Sequence, residues 1–276
     1  MRIPIINRFT CSPYQLPLFI NNLKKQNLVP ILDYTNENKN DFDMNFFKLN
    51  KLIDDYSNNT IALKLSSLNI NNDYNYALKK SDILIKKAIK NNSKILIDAE
   101  DFLIQDKISE ISNIMLAKYN KYNVNVYKTY QMYRRDSLLE LQHDINNSNN
   151  LLGCKLVRGA YYNKDAQYKI LYDKIEDTHL NYNNGIHYFI NNAKINDKLL
   201  CATHNEDSID LAMSLDKNNN IEYAQLMGMS DKLSNKLVNK NQTVYKYLPY
   251  GNFIETVPYL IRRLYENYPM IINFIK

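Results

Sequence analysis

The stretch KILIDAEDFLIQDKISEISNIMLAKYNKYNVNVYKTY, residues 94–130, contains one complete strand–helix–strand unit. Its ends, residues 94–99 and 124–130, are short apolar runs rich in β-branched and aromatic side chains, which favour buried strands. Residues 103–119 have helical periodicity, with one apolar face formed by Ile104, Ile108, Ile111 and Met115. A strand, an amphipathic helix and a second strand in succession predict a parallel βαβ unit.

The same alternation recurs along the chain. Runs that favour strands occur at residues 28–34, 60–66, 94–99, 124–130, 153–158, 199–203, 221–226 and 243–248. Eight parallel βαβ units that close on themselves form a (β/α)8 TIM-type barrel, and 276 residues suit that fold. The sequence therefore predicts an α/β protein with one barrel domain over residues 1–276. An extra N-terminal helix around residues 15–25 is expected to cap the lower end of the barrel.

Composition excludes several classes of protein. Only 5 glycines occur, and none has the spacing of the glycine-rich phosphate loops of Rossmann or P-loop proteins. The formal charge of +6 comes from scattered lysines without a basic run, which argues against nucleic-acid binding. No apolar window is long enough for a membrane span. The 3 cysteines are far apart, which favours buried free thiols over disulfides.

Polar side chains collect at the predicted carboxyl ends of the strands, where TIM-barrel enzymes carry their active sites. Three of the glycines, Gly159, Gly228 and Gly251, fall at the same end, where they permit tight turns and close approach of a ligand. The polar groups are Lys64, Asp98, Glu100, Lys155, Arg158, Thr203, His204, Asn205 and Tyr247. We therefore expect the functional site at this mouth of the barrel.

A last predicted helix carries two adjacent arginines, Arg262 and Arg263, with Tyr259 and Glu266 on neighbouring parts of the same face. Two guanidinium groups can clamp a carboxylate or a phosphate through forked hydrogen bonds. The alternative is a solvated basic face near a helix end. The position after the eighth strand, beside the mouth, favours the anion clamp.

Asp98 and Glu100 point the same way if their strand continues through both residues. Such a pair suits acid–base chemistry, or it balances the charges of Lys64 and Lys155 across the barrel. We favour charge balance, because an unpaired buried charge is costly. No histidine or cysteine has ligand spacing, so no metal site is expected. A mouth rich in cations and poor in nucleophiles suits an anionic substrate and an anionic redox cofactor.

Five motifs in register resemble the proline dehydrogenase family. They are KLVRGAY (155–161), ATHN (202–205), QLMGM (225–229), YLPYG (247–251) and YLIRRLYEN (259–267), and the earlier strands fit with LDY (32–34), LKLS (63–66) and IDAE (97–100). The resemblance covers most of the chain in the right order. It implies an FAD-dependent (β/α)8 barrel that oxidises L-proline to Δ1-pyrroline-5-carboxylate by hydride transfer to flavin N5.

The resemblance also implies roles for individual residues. Asp98 and Lys155 match catalytic positions, Asp98 as the residue that orients the cations and Lys155 near the flavin N5 edge. Substrate-binding positions correspond to Lys64, Tyr161, Leu226, Tyr247, Tyr259, Arg262 and Arg263. Cofactor-binding positions correspond to Ala99, Lys128, Gln131, Lys155, Arg158, Gly159, Ala160, Thr203, His204, Asn205 and Glu266.

Two of these positions bear on the properties of the enzyme. Lys128, which precedes Thr-Tyr-Gln, is expected to add positive charge near the flavin. Tyr247 favours proline, because hydroxyproline-oxidising relatives have a smaller residue there. The alternatives are a hydroxyproline-oxidising relative, a flavin barrel that acts on folates, and an inactive barrel kept as a binding or regulatory protein.

The resemblance further implies partners and a location. A quinone or another acceptor is expected to take the electrons, and peripheral association with a membrane is left open. A separate pyrroline-5-carboxylate dehydrogenase is expected to take the product. The expected location is cytoplasmic, or mitochondrial if the source is eukaryotic.

Overall fold

Eight parallel strands form a closed barrel, in the order in which they occur in the chain. The computed structural model describes residues 6–35, 41–252 and 256. The strands are β1 (Val29–Tyr34), β2 (Thr60–Leu63), β3 (Lys94–Ile97), β4 (Val126–Gln131), β5 (Gly153–Val157), β6 (Lys198–Ala202), β7 (Ile221–Leu226) and β8 (Val244–Tyr250). The predicted (β/α)8 barrel is confirmed.

Helices follow the strands on the outside of the barrel. They are α1 (Ile6–Phe9), α2 (Leu16–Lys25), α3 (Phe42–Asp55), α4 (Tyr74–Lys90), α5 (Phe102–Tyr119), α6 (Ser137–Asn147), α7 (Tyr162–Asp165), α8 (Ile175–Asn192), α9 (Glu206–Leu215) and α10 (Asp231–Asn239). Short 3₁₀ turns cover Leu65–Leu68 and Ala166–Tyr168. The expected C-terminal substrate-binding helix lies outside the described residues.

Two apolar layers make up the core. The interior of the barrel contains small and branched side chains with three tyrosines, among them Ile31, Ala62, Leu96, Tyr127, Leu200, Ala224, Tyr245 and Tyr247. A larger cluster fills the space between the outer faces of the strands and the helices. Successive residues of a strand point to opposite faces, so each strand contributes to both layers. Strands buried on both faces are typical of parallel barrels.

A buried polar cluster lies inside the barrel at the amino ends of the strands. Glu222 accepts hydrogen bonds from the hydroxyls of Tyr127, at 2.7 Å, and Tyr245, at 3.2 Å. The Lys94 ammonium lies 3.4 Å from the same carboxylate. This cluster occupies the end of the barrel opposite to the predicted functional mouth.

Helix α2 runs down the side of the barrel, which corrects the expectation that it caps the lower end. Cys11, ahead of the helix, pairs with Tyr250 at the carboxyl end of β8. Leu28, after the helix, leads into the amino end of β1. Because Leu16, Ile20 and Leu23 are buried in the outer apolar layer, α2 packs beside β1 as the other helices pack beside their strands.

Candidate active site

Charged side chains from four parts of the barrel meet at the carboxyl ends of its strands. Lys155 of β5 donates a hydrogen bond to Asp98 Oδ1 at 2.6 Å and another to the hydroxyl of Tyr247. That hydroxyl lies 3.0 Å from the same Asp98 oxygen. Lys64 pairs with Asp33 of β1, and its Nζ lies 3.6 Å from Asp98 Oδ2. We call these five residues the mouth network.

Strand alternation explains why these residues face one another. Asp33 follows Ile31 at the inward positions of β1, and Tyr247 follows Tyr245 at those of β8. Asp98 comes directly after β3, where its backbone N–H donates to the carbonyl of Leu63 at 2.9 Å. Each inward side chain near a strand end therefore points into the same mouth.

Electrostatic balance holds Asp98 ionised. Burial alone would raise the pKa of its carboxyl group, but attraction to Lys155 and Lys64, together with hydrogen bonds from Lys155 and Tyr247, keeps the pKa below its ordinary value. Burial lowers the pKa of Lys155, which attraction to Asp98 counteracts only in part. Asp98 thus has the position that the charge-balance interpretation requires, between two ammonium groups.

Glu100 does not share the direction of Asp98, because β3 ends at Ile97. Its carboxylate turns to Ser66, accepting a hydrogen bond from the backbone N–H at 2.8 Å and another from the hydroxyl. Burial raises the pKa of Glu100. Its backbone carbonyl accepts from Gln131 Nε2 at 3.1 Å. The buried Gln131 Oε1 has no hydrogen-bond partner among the described residues.

Arg158 follows β5 and is held by three neutral acceptors. Its Nε donates to His179 Nδ1 at 2.8 Å, and its two terminal nitrogens donate to Thr203 Oγ1 at 2.5 Å and Ser208 Oγ at 3.0 Å. The guanidinium lies 4.4 Å from the centre of the Tyr182 ring. Burial lowers the pKa of Arg158. This half-buried cation is well placed to receive an anion.

Gly159 allows the chain to turn closely over Tyr133. Its φ is +136°, and a Cβ there would lie 2.5 Å from the Tyr133 ring. A side chain is excluded by both the backbone conformation and the contact. Ala160 and Tyr161 follow, half-buried, ahead of α7.

Lys128 lies away from the mouth, which corrects its expected contact with the cofactor. Its neighbours in β4, Tyr127 and Thr129, occupy inward positions, so Lys128 points outward. There its ammonium lies 2.6 Å from Asp144 and 2.9 Å from Glu140 of α6. Lys128 therefore binds a helix to the outer face of the barrel.

Some of the remaining predicted site residues lie at the mouth, and the others lie outside the described residues. His204 Nε2 accepts a hydrogen bond from the backbone N–H of Leu226 at 3.0 Å, which joins the ends of β6 and β7. Asn205 caps α9 by accepting from Ser208 N at 2.8 Å. Ala99 is buried directly after Asp98. Tyr259, Arg262, Arg263 and Glu266 lie outside the described residues.

Sequence reasoning missed two charged groups next to the site. Asp33 is 1 % exposed, and the LDY motif (32–34) together with the inward alternation of residues 29, 31 and 33 could have pointed to it. Asp165, also buried, accepts from Phe102 N at 2.9 Å and from the Tyr133 hydroxyl at 2.6 Å. No local motif marks Asp165, because both donors come from distant segments.

A family model described as proline dehydrogenase matches residues 19–270. The chain belongs to the proline dehydrogenase family. Proline dehydrogenase 1, mitochondrial, of Dictyostelium discoideum is 37% identical over 195 residues, which cover 63% of this chain and 34% of that protein. The protein of the same name in Arabidopsis thaliana is 36% identical over 209 residues, covering 68% and 42%. The chain thus spans between a third and a half of the length of these relatives.

The fold also matches that of a solved structure. Proline utilization A from Corynebacterium freiburgense superposes with a TM-score of 0.83 at 17% identity, covering 96% of this chain and 31% of that one. The likeness supports the barrel fold of the family. Within residues 6–35, 41–252 and 256, no cluster of acidic, histidine and cysteine side chains could hold a metal ion. None of the helices in these ranges is long and apolar enough to cross a membrane.

Proposed function

We propose that this chain is a flavin-dependent proline dehydrogenase that oxidises L-proline to Δ1-pyrroline-5-carboxylate, with FAD as the flavin. The observation that carries the proposal is the mouth network at the carboxyl ends of the barrel strands, where TIM-barrel enzymes carry their active sites. Two ammonium groups, two carboxylates and one phenol meet there.

Lys64 is the ammonium of the network that can reach the substrate. Its side chain is 21% exposed, whereas that of Lys155 is only 5% exposed. A proline carboxylate that approaches Lys64 finds a cation already oriented by Asp33 and Asp98. By family resemblance, Arg262 and Arg263 complete the clamp, while Tyr161, Leu226, Tyr247 and Tyr259 surround the ring.

The residues of the mouth fit a flavin. Gln131 Oε1, which has no partner among residues 6–35, 41–252 and 256, offers a buried acceptor, and the Lys155 and Arg158 cations offer donors to an anionic cofactor. Gly159 lets the backbone turn at this strand end, where a Cβ would collide with the Tyr133 ring. The other proposed cofactor-binding residues lie around the same strand ends: Ala99, Ala160, Thr203, His204 and Asn205. The family resemblance adds Glu266. When bound, a flavin supplies the two-electron acceptor for this oxidation.

The chain itself mainly positions the substrate. Oxidation removes a hydride from the ring carbon beside nitrogen and a proton from nitrogen, leaving a C=N bond. Asp98 is a poor candidate for the base, because two lysines hold its pKa low. We therefore propose that the nitrogen loses its proton to water, while Lys64, Asp98, Lys155 and Tyr247 orient the ring.

Purified protein tests the proposal directly. We expect a yellow protein that releases FAD on denaturation and reduces an artificial dye in the presence of L-proline, but not of D-proline. A protein that binds FAD and is never reduced by proline would contradict the activity and favour an inactive barrel. A protein that takes up no flavin would contradict the cofactor.

Partners and location follow from the proposed reaction. The electrons pass to a quinone or another acceptor, with peripheral membrane contact as part of the proposal. The product passes to a separate pyrroline-5-carboxylate dehydrogenase. The location is cytoplasmic, or mitochondrial for a eukaryotic source, in line with the mitochondrial names of the relatives above. Flotation with quinone-containing vesicles tests the membrane contact.

A further inference from the structure

His179 of α8 makes a hydrogen bond that only one of its protonation states allows. The Nε of Arg158 lies 2.8 Å from His179 Nδ1. A guanidinium group has donors and no acceptor, so the Nδ1 atom must carry a lone pair. The imidazole is therefore neutral, with its proton on Nε2. Protonation at Nδ1 would set two N–H groups and two positive charges against each other.

We infer that His179 is a positioning residue for Arg158, and that its neutral imidazole holds the guanidinium in place to receive the anionic cofactor. The inference rests on the proposed function, which gives Arg158 a contact with FAD. Thr203 and Ser208 hold the other two nitrogens of Arg158, so the three acceptors together define the direction of the guanidinium. Loss of the Nε partner removes one of these three acceptors and leaves the direction of the guanidinium less well defined.

The surroundings of Arg158 make His179 sensitive to the cofactor. Among the described residues, the hydrogen-bond acceptors of Arg158 are all uncharged, and the Tyr182 ring lies 4.4 Å away. A bound anion would stabilise the guanidinium, and the fixed guanidinium in turn disfavours a proton on His179. Cofactor binding and protonation of His179 thus oppose each other, and this coupling is reciprocal.

The charges around His179 set the pH range of the effect. Partial burial and the charge of Arg158 lower the pKa of His179, while Glu176, one turn earlier on α8, opposes them. The packed neighbour α9 carries Glu206 and Asp207 in its first turn. Since the net shift is downward, His179 stays neutral through neutral pH. The contact with Arg158 is lost only as the pH falls below about 6.5.

Equilibrium binding of FAD to the full chain tests the inference. We expect wild-type affinity to fall about tenfold between pH 7.5 and about pH 5, the effect of one charge-assisted hydrogen bond. In His179→Asn, the amide oxygen accepts from Arg158 at every pH, so the affinity stays high and this pH dependence disappears. In His179→Ala, no acceptor is present, and the affinity is low at both pH values.

An NMR titration of the histidines without cofactor gives an independent measurement. Arg158→Gln removes the neighbouring charge and raises the pKa of His179. Unchanged titration of His179, wild-type affinity in His179→Ala, or full pH dependence in His179→Asn overturns the inference. If no variant binds FAD, the proposed function fails. The NMR shift then still decides whether His179 and Arg158 are coupled.

Discussion

Asp98 shows how a single buried residue depends on partners that are far away in the chain. Its carboxylate contacts Lys64, Lys155 and Tyr247, which come from three different strands or strand ends. Removal of one partner of a buried ion pair leaves the other charge uncompensated. The free energy of unfolding should therefore respond to Asp98 far more than to carboxylates on the surface.

Asp98→Ala should lower the free energy of unfolding by about 3–5 kcal/mol, because it leaves the buried Lys155 without its counter-charge. Denaturant titration measures the change. Asp210→Ala is the matched control: the Asp210–Lys236 pair is exposed, and its loss should cost less than about 1 kcal/mol. Equal effects of the two substitutions would contradict the charge-balance role of Asp98.

Tyr247 is predicted to set the choice between proline and hydroxyproline. Tyr247→Ser removes the ring that packs in the interior cluster and opens space beside Lys155 and Leu226. Relative kcat/KM for 4-hydroxy-L-proline against L-proline should rise, which steady-state assays measure. Tyr247→Phe, the control, keeps the ring and should retain the preference for proline. The role is refuted if Tyr247→Ser discriminates as the wild type does.

At the scale of elements, α7 is too short to be stable by itself and depends on Asp165. The helix has 4 residues, fewer than an isolated helix requires. Asp165 joins it to the first turn of α5 through Phe102 N and to the end of β4 through the Tyr133 hydroxyl. Asp165 therefore holds the carboxyl-terminal end of the segment that carries Arg158, Gly159 and Tyr161.

Asp165→Ala should destabilise the protein by about 2 kcal/mol, because it leaves a half-buried N–H and a buried hydroxyl without an acceptor. Denaturant unfolding measures the loss, and limited proteolysis should show earlier cleavage near residue 162. Asp173→Ala removes an exposed carboxylate paired with Arg135 and should change little. Wild-type stability of Asp165→Ala would count against this anchoring role.

At the scale of the whole molecule, the closed barrel protects all of its thiols. Cys11, Cys154 and Cys201 are free and buried, as the spacing of the cysteines predicts. Burial raises the pKa of Cys201 to about 12, so its reactive thiolate is scarce at neutral pH. The three thiols belong to β5, β6 and the segment that pairs with β8.

We expect a thiol reagent such as Ellman's reagent to modify no cysteine in the native protein and all 3 in denaturant. The rate of modification should follow the unfolding transition recorded by circular dichroism. Rapid modification of any thiol under native conditions would show local opening of the barrel near that strand.

Strand positions were largely predictable from local pattern, and their exact ends were not. The predicted run 221–226 coincides with β7, whereas the run 60–66 ends early at Leu63. There the chain forms a 3₁₀ turn at Leu65–Leu68, which is stabilised by a hydrogen bond from the Ser66 backbone N–H to the Glu100 carboxylate. A contact between residues 34 positions apart decides that boundary, and local periodicity carries no information about it.

The sequence by itself predicted the barrel and its eight strands, because the alternation of apolar runs and amphipathic helices is a local periodicity. It also predicted that the candidate site lies at the carboxyl ends of the strands. Only the tertiary structure decided which face of each strand lies inside. All six residues of β4 are buried, so no hydrophobic alternation distinguishes Lys128 from its inward neighbours. Closure of the barrel also brought Asp33 to Lys64, and packing of α8 brought His179 to Arg158. These partners are distant in the chain, and only the folded geometry makes them neighbours.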